Sequence, residues 1–145
     1  MRMAVLYLRG QEIYLHASSR TEMGAWVAQD PYLAVDSFAS RDAVGDALKL
    51  ALANSKEEIE HPKDFGALVR PLLKRANCRS WKAFANLAKC CTAEQEKGTI
   101  VLIPHRNLGP DGGFKPMLEN LFSVPDSASA RSLYEVITSC FDMCL

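Results

Sequence analysis

The sequence lacks the features that mark several large classes of protein. Among its 145 residues, no apolar run approaches the ~20 residues that a membrane-spanning helix requires. Its 17 basic residues equal its 17 acidic residues, so it has no basic excess of the kind that general nucleic-acid binders show. Repeats and low-complexity tracts are also missing. These absences favour a globular protein that binds neither membranes nor nucleic acids directly.

The cysteines form neither a disulfide framework nor a zinc motif. Five are present: Cys78, Cys90, Cys91, Cys140 and Cys144. Their number is odd, no CxxC pair occurs, and no histidine lies near the final two, which are four residues apart on a predicted helix. The N-terminal apolar segment is broken by Arg9 and does not resemble a signal peptide. We therefore expect a cytoplasmic protein with reduced, buried thiols and without a metal or cofactor.

Histidine is scarce, and no catalytic motif surrounds it. The three histidines are His16, His61 and His105, and the sequence contains no DxD, HExxH, GxSxG or Walker pattern. His16 is predicted to occupy the more solvated face of a hairpin strand. A pair between His105 and either Cys90 or Cys91 is the one nucleophile–base arrangement that a hairpin would allow. Because motif grounds for this pair are absent, the sequence predicts a protein that is not an enzyme.

The first third of the chain alternates like a β-hairpin and then loses its periodicity. Strands are predicted over residues 3–8 and 13–16 with a turn between them. Residues 17–38 are predicted to form a long loop with a short strand near residues 33–35. Trp26 in this loop is expected to pack into the core.

Two amphipathic helices are predicted to follow. Ser40 is expected to cap the first, in which apolar residues recur at i, i+3, i+4, i+7 and i+8 from Val44. Gly45 costs this helix about 1 kcal/mol relative to alanine, which predicts a close approach to a neighbouring strand. Asp64 is expected to cap the second helix, and Pro71 is expected to kink or divide it.

Residues 79–104 predict a helix followed by a β-hairpin. Ser80 occupies the N-cap position of the helix. Residues 90–95 then alternate like a strand, a glycine-containing turn follows, and residues 99–103 form an apolar, β-branched strand that Pro104 is expected to end. This unit contains no catalytic motif, and other elements must cover it.

Residues 105–116 form a loop rich in glycine and proline that also carries Arg106 and Lys115. A small-molecule or nucleotide-binding module using this loop is the alternative to a protein-binding function. Two observations oppose it: prolines remove backbone donors, and a strand over residues 120–124 follows where a phosphate loop would have a helix. The last helix is predicted to begin at residues 125–127.

Taken in order, these elements predict the fold class. Short connections between adjacent strands favour antiparallel pairing, and no linker divides the chain. We therefore expect one α+β domain over residues 1–145, with a mostly antiparallel sheet packed against about four helices.

An ordered set of residues resembles a known family over roughly Ser37 to Phe141. It comprises a short helix, a turn, a strand end, an Arg-Asn pair and a Gly-Gly-Phe-x-Pro loop: Ser80, Trp81, Lys82, Phe84, Gly98, Pro104, Arg106, Asn107, Gly112, Gly113, Phe114 and Pro116. These residues resemble the CdiI-type immunity proteins of bacterial contact-dependent growth inhibition (CDI). Met117 stands where leucine is usual, and the last helix lacks the family's Leu-Gly pair after its cap.

The resemblance implies a non-enzymatic inhibitor. Such a protein stays in the cytoplasm and binds, one to one, the toxic C-terminal domain of a CdiA-type effector delivered by a neighbouring cell. The toxins of these systems are often nucleases, commonly acting on tRNA. No cofactor and no direct contact with nucleic acid are implied for the inhibitor.

Carboxylates are the expected means of binding such a toxin. A nuclease active site is usually basic because it must hold phosphates, so an inhibitor covering it should offer negative charge. The hypothesis places an acidic cluster and two aspartates of the predicted loop in the contact: Glu57, Glu58, Glu60, Asp64, Asp30 and Asp36. The ordinary interpretation of such a charge run, a solvated helix end, stands beside it.

Overall fold

A computed structural model describes residues 1–37 and 40–145, which form one sheet with helices on both of its faces. The strands are β1 (Arg2–Arg9), β2 (Glu12–Arg20), β3 (Trp26–Asp36), β4 (Lys89–Glu96), β5 (Thr99–Asn107), β6 (Phe114–Pro116) and β7 (Phe122–Pro125). The α-helices are α1 (Arg41–Asn54), α2 (Phe65–Arg75), α3 (Trp81–Ala85) and α4 (Ala130–Met143). The predicted class, an α+β fold with a mostly antiparallel sheet and four helices, is confirmed.

The sheet is built around β1 and β4. The strand order is β3-β2-β1-β4-β5-β6, β7 also pairs with β5, and every pairing between these strands is antiparallel. Leu6 of β1 lies opposite Leu15 of β2 and Cys91 of β4, so these side chains point to the same face. The adjacent pair, Tyr7 and Tyr14, points to the other face.

Each face of the sheet is covered by its own core. Side chains of the central strands are therefore buried whichever face they point to. On the first face, α1 and α4 contribute aliphatic side chains such as Leu48 and Ile137. On the second face, α2 and α3 cover an aromatic cluster. Phe84 of α3 packs edge-on against Tyr7 and Tyr14, with ring centroids 5.2 and 5.6 Å apart.

His16 belongs to this second core, so the prediction that it lies on a solvated face is wrong. Its side chain is 4% exposed, and its ring lies 6.1 Å from that of Tyr7 and 5.7 Å from that of Tyr32. The cause is α2, whose Leu68 carbonyl accepts a 2.6 Å hydrogen bond from the Tyr32 hydroxyl. His16 Nδ1 lies 2.8 Å from the Ala17 carbonyl oxygen. Burial lowers the pKa of His16 to about 4.

The long loop predicted over residues 17–38 is wrong. β2 continues to Arg20, and β3 occupies residues 26–36 and pairs with β2 along its length. Phe38, the last residue of the predicted loop, lies outside the described residues. Trp26, which is expected in the core, begins β3 and is partly buried.

A bulge explains why the sequence pattern misses β3. Tyr32 pairs with His16 while Gln29 pairs with Ala17, so residues 30–31 have no partner in the ladder. Pro31, the proline of this pair, lies in an edge strand and at a bulge, where it need not donate a hydrogen bond to the ladder. The bulge divides β3 into two short apolar segments, neither of which predicts a long strand by itself.

Two prolines, one expected to kink or divide a helix and the other to end a strand, lie inside those elements. Pro71 removes one donor from α2 without dividing it, and the next residue, Leu72, is fully buried and anchors the last turn. Pro104 pairs with Cys91 in the ladder, and its carbonyl accepts a 2.8 Å hydrogen bond from the Met117 amide. β5 therefore continues to residue 107.

Among the described residues, three of the four α-helix starts are predicted correctly. The first three predicted N-caps each accept a hydrogen bond from the amide three residues on: Ser40, Asp64 and Ser80. The last helix instead begins at Ala130, capped by Ser129, because Pro125 ends β7 and a turn follows it.

Gly45 approaches a helix and not the predicted neighbouring strand. It lies in α1 where that helix crosses the start of α4. A β-carbon at this position would lie 2.0 Å from the carbonyl oxygen of Ala130. The contact holds the two helices on the first face together at backbone distance.

Candidate protein-binding surfaces

The acidic segment is the connection between α1 and α2, and it is fastened to the end of β2. The Arg20 amide donates to the Lys56 carbonyl at 2.8 Å, and the Ile59 amide donates to the Arg20 carbonyl at 3.1 Å. The Glu22 amide donates to the Ile59 carbonyl at 2.9 Å, beside a parallel bridge between Thr21 and Ile59. The backbone that carries the carboxylates is therefore held in place by the sheet.

Three of the predicted site residues lie together on this segment and are exposed: Glu57, Glu58 and Glu60. Glu58 adopts the left-handed conformation with φ 61°, which is uncommon for a residue other than glycine. Glu57 lies 3.8 Å from the N-terminal amine of Met1. The first two glutamates line a shallow pocket of about 230 Å³ together with Glu22 and Arg20. The segment thus presents clustered negative charge at one end of the sheet.

The three aspartates of the predicted site are placed differently. Asp64 is engaged as the N-cap of α2 and lies 3.4 Å from the guanidinium of Arg70. Asp30 is exposed in the bulge of β3. Asp36 lies at the far end of β3, opposite Glu12 and about 30 Å along the strand from the end beside the acidic segment. The structure therefore carries the three glutamates on one fixed segment, engages Asp64 in a helix cap, and separates Asp36 from them.

The glycine-rich loop uses its backbone donors internally. The Leu108 amide donates to the Gly113 carbonyl at 2.9 Å, and the Gly112 amide donates to the Gly109 carbonyl at 3.2 Å. A phosphate cradle needs several such donors converging on an open point, and these amides are already bonded. The cations of the loop, Arg106 and Lys115, flank a depression of about 380 Å³ that also contains the carboxylate of Glu119. The geometry therefore does not favour the nucleotide-binding alternative.

No activated pair joins the hairpin cysteines to His105. Cys90 and Cys91 point to opposite faces of β4, and the ring of His105 has its contact with the Thr92 hydroxyl, at 3.3 Å. Burial raises the pKa of both thiols well above the usual value and lowers the pKa of His105. A catalytic cysteine nucleophile requires the reverse, a thiol whose pKa is lowered by a nearby cation.

Asn107 is a positioning residue that the sequence pattern marks only as part of the Arg-Asn pair. Its amide nitrogen donates to the carbonyls of Ala85 and Ala88 at 2.9 and 3.0 Å, and its carbonyl oxygen accepts from the Gly109 amide at 2.9 Å. It thereby ties the end of α3 to the loop after β5. Leu87, between the two alanines, is held in the left-handed conformation with φ 64° and is 88% exposed.

Replacing Asn107 with alanine should lower the free energy of unfolding by about 1–3 kcal/mol, because two carbonyls and one amide lose a partner. Asn107→Asp retains the acceptor for Gly109 but loses both donors and sets a carboxylate oxygen against two carbonyl oxygens, so it should be at least as destabilising as Asn107→Ala. Chemical denaturation of the three proteins measures the difference. A change below about 0.5 kcal/mol for Asn107→Ala would show that the clamp is dispensable.

Two absences bear on the kind of site. Within residues 1–37 and 40–145, no group of three or more histidine, cysteine, aspartate or glutamate side chains is arranged to hold a metal ion. In the same ranges, no helix has both the length and the apolar character needed to cross a membrane.

Solved structures of other proteins have a similar fold. No protein-family model matches the sequence, and no curated protein matches it. A protein of unknown function from Neisseria meningitidis has a TM-score of 0.82 and 11% identity, covering 99% of this chain and 95% of that chain. A chain of the CdiA-CT/CdiI toxin and immunity complex from Yersinia pseudotuberculosis also has a TM-score of 0.82, with 12% identity and coverage of 99% and 97%. At these identities the likeness shows that the fold is shared.

Proposed function

We propose that this chain is an immunity protein that binds and neutralises the toxic C-terminal domain of a CdiA-type effector. The observation that carries the proposal is the likeness, over 99% of the chain, to a chain of a CdiA-CT/CdiI complex. The ordered residues that resemble CdiI-type proteins support it independently. The proposed partner is a single toxin domain bound one to one in the cytoplasm, with a nuclease, commonly directed at tRNA, as its expected class.

The aromatic residues of the resemblance act in packing, which suits a fold that presents a variable surface. The rings of Trp81 and Phe84 stack with centroids 5.4 Å apart, and Phe114 lies 5.8 Å from Tyr7. Together with the Asn107 clamp, these contacts hold α3 and the loop after β5 on the second face. Discrimination between cognate and non-cognate toxins must then come from other, exposed side chains.

The exposed carboxylates of the acidic segment are the proposed toxin contact. A nuclease binds its phosphates through cations, so carboxylates held on a fixed backbone compete for the same cations without a large ordering cost. In this proposal Glu57, Glu58 and Glu60 form the centre of the contact, and the exposed Asp64 and Asp30 are additional contact residues. Asp36, at the opposite end of β3, would take part only if the toxin extended along the whole strand.

Co-expression with the C-terminal domain of the large secreted protein encoded immediately upstream tests the proposal. We expect the two chains to co-purify and to elute as a one-to-one complex whose mass is measured by light scattering. The C-terminal domain of an unrelated effector serves as the control and should remain unbound. Separate elution of the cognate pair would contradict the proposed function.

Reversing both charges in Glu57→Lys/Glu58→Lys should raise the dissociation constant for the toxin domain about tenfold or more. Part of the loss should be a slower association rate, because the carboxylates steer the encounter. Glu135→Lys/Asp142→Lys, which reverses two exposed charges on α4, is the matched control. Surface plasmon resonance at two salt concentrations measures the affinity of both variants and of the wild-type protein. Equal affinities of the Glu57→Lys/Glu58→Lys variant and the wild-type protein would show that the acidic segment is not part of the contact.

A further inference from the structure

Two cysteines from distant parts of the chain meet in the first core. The Sγ atoms of Cys91 on β4 and Cys140 on α4 lie 2.7 Å apart. Both side chains are fully buried. The residues are separated by 49 positions, so the fold alone creates the contact.

The two neighbouring thiols, those of Cys144 and Cys90, make other contacts. Cys144 directs its S–H to the carbonyls of Cys90 and Cys140, at 3.2 and 3.4 Å. Cys90 points to the second core, on the other face of β4. The separation of the paired sulfurs is shorter than the contact of two unbonded thiols and exceeds the disulfide bond length of about 2.05 Å by well under 1 Å. A small change in side-chain torsion would bring the two atoms to bonding distance.

We propose that Cys91 and Cys140 are an oxidation site that forms an intramolecular disulfide, with a peroxide as the oxidant. One thiolate attacks a peroxide oxygen, giving a sulfenic acid and releasing hydroxide, which takes up a proton to become water. The second thiolate attacks the sulfenic sulfur, the S–S bond forms, and the second oxygen leaves as water after protonation. The balance is two thiols and one hydrogen peroxide giving one disulfide and two waters.

The product would fasten the last turns of α4 to a central strand. Closing a loop of this length removes conformational freedom from the unfolded chain, and the midpoint of thermal unfolding should rise by about 10 °C. Burial raises the pKa of Cys91 well above its usual value, so little thiolate is present. The reaction is therefore expected to proceed during local opening of the first core, over hours of exposure and not within seconds.

Treatment of the purified full chain with hydrogen peroxide, followed by thiol alkylation, tests the proposal. Non-reducing tryptic mapping should yield residues 90–97 joined to residues 132–145, with fragmentation placing the bond between Cys91 and Cys140. The thermal midpoint should rise by about 10 °C and return to its starting value with dithiothreitol.

Cys90→Ala is the matched control, because it removes an equally buried thiol one residue away. It should keep both the joined peptides and the thermal shift, whereas Cys91→Ala and Cys140→Ala should lose both. Absence of the joined peptides from the oxidised wild-type protein, or their persistence in Cys91→Ala, would overturn the proposal. Peptide mapping of the wild-type protein decides the question even if a variant fails to fold.

Discussion

Replacing Gly45 with alanine should lower the free energy of unfolding by about 3 kcal/mol or more. In an open helix the same change stabilises by up to ~1 kcal/mol, because alanine restricts the unfolded chain. Here the added β-carbon would lie 2.0 Å from the Ala130 oxygen and 2.6 Å from the Ala130 carbonyl carbon. Backbone atoms cannot rotate away, so α1 and α4 would have to separate.

Gly66 provides the matched control for this prediction. It lies in α2, is exposed, and an added β-carbon would meet only the Asp64 carboxylate oxygen, at 3.2 Å. Gly66→Ala should therefore change stability by less than about 1 kcal/mol in either direction. Denaturant titration of the two variants gives the comparison, and equal stabilities would show that the α1–α4 contact tolerates a side chain.

The second large effect is a loss of stability in acid caused by His16. Burial between aromatic rings lowers the pKa of His16 from 6.5 to about 4, so the folded state binds fewer protons than the unfolded state between these values. The stability that this residue contributes is fully present above pH ~6.5 and is lost as the pH falls towards 4. The difference in pKa corresponds to about 3 kcal/mol.

His16→Gln isolates this contribution from the carboxylates that titrate in the same range. Glutamine can donate the hydrogen bond to the Ala17 carbonyl but does not change charge. We expect the free energy of unfolding, measured from pH 7 to pH 4, to fall more steeply for the wild-type protein than for the variant. Parallel curves would contradict the assignment of the acid lability to His16.

Local rules predict the helices of this fold better than they predict its sheet. The caps at Ser40, Asp64 and Ser80 are recognisable because a side chain satisfies an amide three residues on. β3 escapes prediction because its pairing with β2 is a long-range property and a proline-containing bulge interrupts its pattern. The burial of His16 and of Cys90 depends on the helices of the second face, which strand periodicity does not reveal.

The candidate site is likewise predictable from the sequence only in part. The charge run of Glu57, Glu58 and Glu60 is visible in the sequence, and so is the absence of a catalytic motif. Its attachment to β2 through backbone hydrogen bonds, the distance of Asp36 from it, and the clamp formed by Asn107 depend on contacts between distant residues. These features required the three-dimensional structure.

Growth after induction of the cognate C-terminal domain tests the proposed neutralisation of a toxin by this chain. Cells that also express this chain should continue to grow, and cells that express no immunity protein, or a non-cognate one, should stop. Cells expressing the Glu57→Lys/Glu58→Lys variant should grow only at higher expression of that variant. Arrest of growth despite abundant wild-type chain, or growth of toxin-producing cells that lack it, would show that this chain is not the immunity protein of that toxin.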